Sequence, residues 1–198
     1  MKGILFVLSG PSGTGKGTVC AELLNRECNL TLSVSATTRE KRIGEVDGQT
    51  YHYVTKDAFE KMIKTEQMLE YAMYNGNYYG TPKSAIEELL ADGKDVLLEI
   101  EPQGALQVKK LFPEAVLIFL VPPSMAELKR RLITRGRESD EEIERRIDAA
   151  KWELEQADKY TTLIENDSLE DCVCDVIKYI AQKRLERGKI NSLITENV

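Results

Sequence analysis

Residues 4–24 read ILFVLSGPSGTGKGTVCAELL: an apolar run, a glycine-rich turn and a helix-compatible stretch in immediate succession. Five apolar residues, Ile4 to Leu8, suit a strand buried on both faces. Gly10, Gly13 and Gly15 let the backbone curl with its N–H groups inward, and the helix that follows brings its partial positive charge to the same point. Lys16 adds a full charge where β- and γ-phosphates would sit. The segment Gly10-Pro11-Ser12-Gly13-Thr14-Gly15-Lys16-Gly17-Thr18 therefore reads as a nucleotide phosphate-binding loop between a strand and a helix. The Ser or Thr that often follows the lysine and holds Mg²⁺ is replaced by Gly17, with Thr18 one place later, so the motif assigns no protein ligand to the metal.

Working outward, short apolar runs recur as LTLSVS (30–35), DVLLEI (95–100), AVLIFLV (115–121) and TTLIEN (161–166), with helix-spaced segments between most of them. Buried parallel strands flanked by helices are the economical reading. Ile143, Ile147, Ala150 and Leu154 recur at helical intervals, and Ser139 with Glu142 forms a capping box, so 139–158 is expected to be one amphipathic helix. A last helix is expected from about 169 to 187, stopping near Gly188 and leaving a loose tail. Two regions break the alternation. Residues 36–81 are dense in Arg, Tyr, Thr and Gly with short alternating runs, the pattern of a small antiparallel insertion that presents polar groups. Residues 129–146 concentrate arginines around Gly136, the pattern of a mobile flap.

The chain of 198 residues suits one sizeable core, and its formal charge of −6 argues against broad electrostatic binding to nucleic acid or an anionic membrane. Small-molecule partners are expected. The first apolar run is too short for a signal peptide and no stretch approaches a membrane span, so a cytoplasmic protein is expected. Cys20, Cys28, Cys172 and Cys174 form no spaced CxxC pairs and the only histidine, His52, is remote from them in sequence, so zinc and redox roles are not indicated. His52 reads as structural or exposed.

Phosphoryl transfer needs positioning and charge neutralisation more than covalent help. Arg39 and Arg42 could fork onto an acceptor phosphate, with Tyr51 and Tyr79 donating hydroxyls to it. A phosphate monoester is largely dianionic at neutral pH and attacks without a general base, and no base of the protein-kinase type is visible. A nucleoside monophosphate is the natural acceptor.

Beyond the loop, SVSATTREKRIGEVDGQTYHYV, EYAMYNGNYYGTP, DVLLEIEPQGA, FLVPPS, RRLITRGRESDEEIERRI and IEND follow in order over nearly the whole chain, and together they resemble the guanylate kinases of bacterial type. The resemblance implies an α/β fold: a parallel-sheet P-loop kinase core with helices on both faces (1–34, 82–128 and 151–188), a small mixed β/α GMP-binding insertion (35–81), a helical lid (129–150) and a tail (189–198). It implies transfer of the γ-phosphoryl of Mg·ATP to GMP, and to dGMP. Ser35, Arg39, Arg42, Tyr51 and Tyr79 would hold the GMP phosphate, and Glu70 and Thr81 would read guanine. Glu70 can accept from N1–H and the 2-amino group while Thr81 donates to O6, a pattern that adenine reverses. Glu99 and Glu101 stand where the family often has Asp-x-Asp; the first would reach Mg²⁺ through water and the second guanine. Arg131, Arg135 and Arg146 would meet the ATP phosphates or the transferring group, Arg137 matches no arginine the family requires, and Asn166 would lie near adenine. Two other readings are open: a guanylate-kinase-like protein-interaction module without catalysis, and a kinase of another small phosphorylated acceptor.

Overall fold

The computed structural model describes residues 2–26, 29–74, 76–134 and 139–195, with the side chains of 140 and 190–195 excepted. In chain order its elements are β1 (Leu5–Ser9), α1 (Lys16–Arg26), β2 (Leu30–Leu32), β3 (Ala36–Thr37), β4 (His52–Tyr53), α2 (Lys56–Lys64), β5 (Met68–Tyr74) and β6 (Asn77–Pro82). There follow α3 (Lys83–Ala91), β7 (Asp95–Glu99), α4 (Pro102–Leu111), β8 (Val116–Val121), α5 (Met125–Thr134), α6 (Asp140–Glu155), a 3-10 turn (Ala157–Lys159), β9 (Thr162–Glu165) and α7 (Leu169–Thr195).

The expected buried strands form one parallel sheet in the order β2-β7-β1-β8-β9. Side chains of β1 alternate between two apolar layers, which is why its run is apolar at every position. Phe6 and Leu8 pack with Val19 and Leu23 of α1 and Val173, Val176 and Ile180 of α7. Leu5 and Val7 pack on the other face with Ile86 and Leu90 of α3 and Ala105 and Val108 of α4. Each of the Val, Leu, Ile and Phe side chains among them contributes roughly 1.5–3 kcal/mol when taken fully out of water. The buried Asp95 carboxylate accepts from the Ile4 N–H at 2.8 Å and from Arg184 Nε at 2.7 Å, which ties α7 to the sheet edge opposite the phosphate loop.

Three expectations differ from the structure. LTLSVS is not one strand: β2 ends at Leu32, Ser33 adds one more bond to Leu97 O at 3.0 Å, and the chain then enters a second sheet at Ala36. That second sheet, β4-β3-β6-β5, is mixed and not antiparallel throughout, because β3 and β4 run parallel while β3–β6 and β5–β6 are antiparallel. A parallel pair needs a long return, and residues 38–51 supply it. Finally, α7 does not stop near Gly188 but runs to Thr195, so the tail expected at 189–198 is helical through Thr195. Nothing crowds Gly188, and a helix-interior glycine costs only about 1 kcal/mol, less than a stop signal requires.

The capping box of α6 is present: Ser139 Oγ accepts from Glu142 N–H at 3.3 Å, and Ser139 N–H donates to Glu142 Oε2 at 2.9 Å. Ile143, Ile147 and Ala150 of α6 close a small apolar cluster with Leu128 and Leu132 of α5. The second sheet has its own small core around Ala36, Phe59 and Met68, with Tyr78 stacked on Phe59 at 5.1 Å.

Candidate active site

The parallel order puts the carboxyl ends of β1, β7 and β8 on one edge, and the chain from Gly10 to Thr18 curls over it. Gly10 (φ 145°) and Gly15 (φ 90°) hold backbone conformations that side chains resist. A Cβ on Gly10 would collide with the Leu120 carbonyl, and one on Gly15 would lie 2.7 Å from Asn166 Nδ2. Asn166 itself donates from Nδ2 to Thr14 O at 2.6 Å, so the end of β9 braces the loop. The Lys16 ammonium is buried in the loop, donating to Gly10 O at 2.6 Å and Pro11 O at 3.3 Å and pairing with Glu101 Oε2 at 3.1 Å.

Glu99 ends β7 beside Gly17. A Cβ on residue 17 would be 3.4 Å from Glu99 Oε1, so the carboxylate stands next to the place a loop hydroxyl would occupy. Burial pushes the Glu99 carboxyl up; Lys16 opposes the shift and Glu101 adds to it. Among the described residues no three or more His, Cys, Asp or Glu side chains gather as a metal cage. Cys20 and Cys172 are core thiols, pushed up by burial to about 12 and about 11, and Cys28 lies outside the described residues.

One cavity lies between β2, the end of β7 and the second sheet, lined by Ser35, Tyr51, Thr81 and Glu99 together with Ser33 and Thr50. Behind it, the β5–β6 register sets Glu70 directly opposite Thr81, and Thr81 Oγ1 donates to Glu70 Oε1 at 2.7 Å. Both are buried, and burial pushes the Glu70 carboxyl up against the lowering effect of its bonds from Thr81. Thr81 has one hydroxyl proton, so donation to a base O6 requires that proton to turn away from Glu70. A second cavity is lined by Gly13, Gly15, Thr18, Arg131 and Asn166, with Arg130 and Thr134. Arg131 is held there by Glu127 Oε1 at 2.7 Å and Asn166 O at 2.9 Å.

The expected residues thus separate into two neighbouring groups joined by the phosphate loop. Arg39 and Tyr79 join the first: the Arg39 guanidinium lies 5.6 Å from the Tyr51 ring, and the Tyr51 and Tyr79 rings meet edge-on at 6.0 Å. Arg42 is on the same loop with its side chain exposed, His52 is exposed, and Glu101 points to Lys16. Arg146 lies on α6 and lines neither cavity; Arg135 and Arg137 lie outside the described residues.

Sequence reasoning missed three residues. Glu45 grips Arg39 through both terminal nitrogens, at 3.0 and 2.7 Å, and accepts from Tyr53 OH at 2.8 Å and Arg42 N–H at 2.7 Å. These partners hold its carboxyl down at about 2. Gly104 makes room for Glu70, since a Cβ there would be 2.7 Å from Glu70 Oε2. Glu153 of α6 accepts from the Ser12 N–H of the loop at 3.4 Å. The signal for Glu45 was available: a carboxylate three residues after Arg42 in a loop that must hold two arginines.

A glycine loop with a buried lysine thus lies beside two cavities, one between the two sheets and one against α5. A family model described as guanylate kinase matches residues 2–183. This chain belongs to the guanylate kinase family. It is 53% identical over 189 residues to the guanylate kinase of Oceanobacillus iheyensis, covering 96% of this chain and 92% of that one. It is 52% identical over 191 residues to the guanylate kinase of Bacillus subtilis, covering 96% and 93%. Among solved structures, the guanylate kinase of Anaplasma phagocytophilum superposes with a TM-score of 0.72 at 31% identity, covering 92% of this chain and 86% of that one. Members of the family are nucleoside monophosphate kinases, and the core described above is the P-loop kinase core expected from the sequence.

Proposed function

We infer that this chain is an ATP:GMP phosphotransferase that transfers the γ-phosphoryl of Mg·ATP to GMP, and to dGMP, in the purine nucleotide metabolism of the cytoplasm. The single observation that carries the reading is the buried Glu70–Thr81 pair beside the cavity lined by Ser35 and Tyr51. A carboxylate in that position accepts from guanine N1–H and the 2-amino group, and it would face the N1 lone pair of adenine. Sites built on such bonds reject a mismatched partner by about 10⁴-fold or more.

On this reading residues 35–81 are the acceptor insertion and 129–150 the lid, carried on α5 and α6. Ser35, Arg39, Arg42, Tyr51 and Tyr79 bind the acceptor phosphate, and Glu45 keeps Arg39 in place. Gly10 to Thr18 cradle the donor phosphates, with Asn166 towards adenine. Lys16 exchanges its bonds to Gly10, Pro11 and Glu101 for the β- and γ-phosphates, and Arg131, Arg135 and Arg146 neutralise the charge that spreads over the transferring group. The residues beside the loop fit Mg²⁺ that would be bound mainly through phosphate and water, as this ion prefers, and the Glu99 carboxylate beside Gly17 would help to hold it through water. When bound, the ion supplies charge neutralisation between the phosphates. The acceptor phosphate attacks as a dianion, so the protein supplies position and water exclusion, and no side chain acts as a base.

The test is ADP release from ATP and Mg²⁺ in the presence of GMP, dGMP, AMP, CMP or UMP. Turnover is expected with GMP and dGMP. Equal rates with AMP overturn the base reading, and no turnover with any acceptor by folded protein overturns catalysis in favour of an interaction module.

A further inference from the structure

Three carboxylates stand around the single ammonium of the phosphate loop. Glu101 pairs with Lys16 at 3.1 Å and Glu99 flanks Gly17. Glu153 differs from both because it comes from α6, the helix that carries Arg146 two turns earlier. Its Oε2 accepts from the Ser12 N–H at 3.4 Å, and Ser12 belongs to the loop whose N–H groups receive phosphate.

We propose that Glu153, near the end of α6 where that helix leaves the lid for the core, is a stand-in for donor phosphate: its carboxylate occupies the Ser12 N–H and is displaced by the phosphates of the donor nucleotide, coupling donor binding to α6. The proposal rests on the phosphotransferase reading. One N–H cannot serve a carboxylate and a phosphate at once, so the two anions compete. The incumbent is weakly held: the bond is long, and burial, with Glu101 adding and Lys16 opposing, pushes the Glu153 carboxyl up to about 7. The contact joins the loop to α6, so its loss on donor binding removes one tether between the loop and the helix that carries Arg146. By reciprocity, whatever holds α6 away from the loop strengthens donor binding.

Trp152, the only tryptophan of the chain, is the neighbour of Glu153 on α6 and is 49% exposed, so it reports on this place without a label. Mg·ADP is titrated calorimetrically and by Trp152 emission into the full chain, Glu153→Gln and Glu153→Asp, at about pH 8, where the carboxyl is mostly ionised. Glu153→Gln keeps an acceptor oxygen but loses the charge, and it is expected to bind Mg·ADP about five- to tenfold more tightly, the scale on which a charge-assisted hydrogen bond exceeds a neutral one. Glu153→Asp keeps the charge but draws the carboxylate back, and it too is expected to bind more tightly. The emission of Trp152 is expected to change on saturation of the unsubstituted chain, and the Gln variant to start part of the way there. Equal or weaker affinity in Glu153→Gln overturns the proposal, as does emission that ignores Mg·ADP. Tightening by Gln alone also overturns it, because bulk charge repulsion would then suffice. Absence of Mg·ADP binding in every variant overturns the phosphotransferase reading itself.

Discussion

In the five-stranded sheet the phosphate loop is shaped by backbone: Gly10 and Gly15 at positive φ, carbonyls holding Lys16, and an Asn166 amide bracing Thr14. In the four-stranded sheet the acceptor groups are shaped by side chains: Glu45 gripping Arg39, and Glu70 bonded to Thr81 across a strand pair. The loop's own backbone closes within a few residues, Lys16 onto Gly10 and Pro11, although its braces, Asn166 and Glu101, come from afar. A reader built on side chains needs partners from elsewhere, as when Glu70 depends on Thr81 eleven positions away and on the missing side chain of Gly104. The first kind tolerates changes in what surrounds it; the second transmits them.

The largest effect that would break this contrast is on the donor side. Lys16→Ala is expected to lower kcat by about 10³-fold or more while the melting transition is nearly retained, since the ammonium stabilises charge that develops in the transition state. Near-normal turnover would remove the role given to Lys16. On the acceptor side, Glu70→Ala is expected to cost about 10²- to 10³-fold in kcat/KM for GMP with KM for ATP unchanged, and to narrow the gap between GMP and AMP. Steady-state kinetics with both acceptors decide it; a preserved preference for GMP would mean that guanine is read elsewhere. Glu45→Gln sharpens the contrast further, because Glu45 acts through Arg39. It is expected to raise KM for GMP by about tenfold with little change in KM for ATP, the cost of loosening one bidentate pair that orients a phosphate ligand. A fall in kcat with KM intact would contradict that role.

The smallest effect is a pH dependence of stability. The Glu153 carboxyl faces Lys16, Glu101, the Tyr160 hydroxyl and the Ser12 N–H, and its pKa is raised to about 7 in the folded chain from an ordinary 4.5. The native state therefore binds this proton more tightly than the unfolded chain does. The contribution of the group is fully present below the unfolded value and is lost as pH rises through the folded one. Urea unfolding should show the unsubstituted chain losing ground to Glu153→Gln between about pH 4.5 and 7 and running parallel to it above that range. The carboxyls of Glu70 and Glu99, also raised, are common to both chains and cancel in the difference.

Much of the core was legible because its signals are local. ILFVL, DVLLEI and AVLIFLV are apolar at nearly every position, the mark of strands covered on both faces, and the loop residues follow one another in the chain. The capping box of α6 was readable for the same reason. The split of LTLSVS between two sheets was not, because the apolar run is continuous and only the partners of each half differ. Nor was the helical passage through Gly188, where a weak local stop was outweighed by the helix on both sides.

By itself the sequence determined the parallel core, the phosphate loop with its lysine, and the arginine and tyrosine supply for an acceptor, because strand periodicity and glycine spacing act over a few residues. Only the tertiary structure decided which carboxylate faces which cation. Glu101 on Lys16 and Glu153 on the Ser12 N–H are pairings across 85 and 141 positions that no periodicity encodes, and charges of one sign look alike until the fold brings them to their partners.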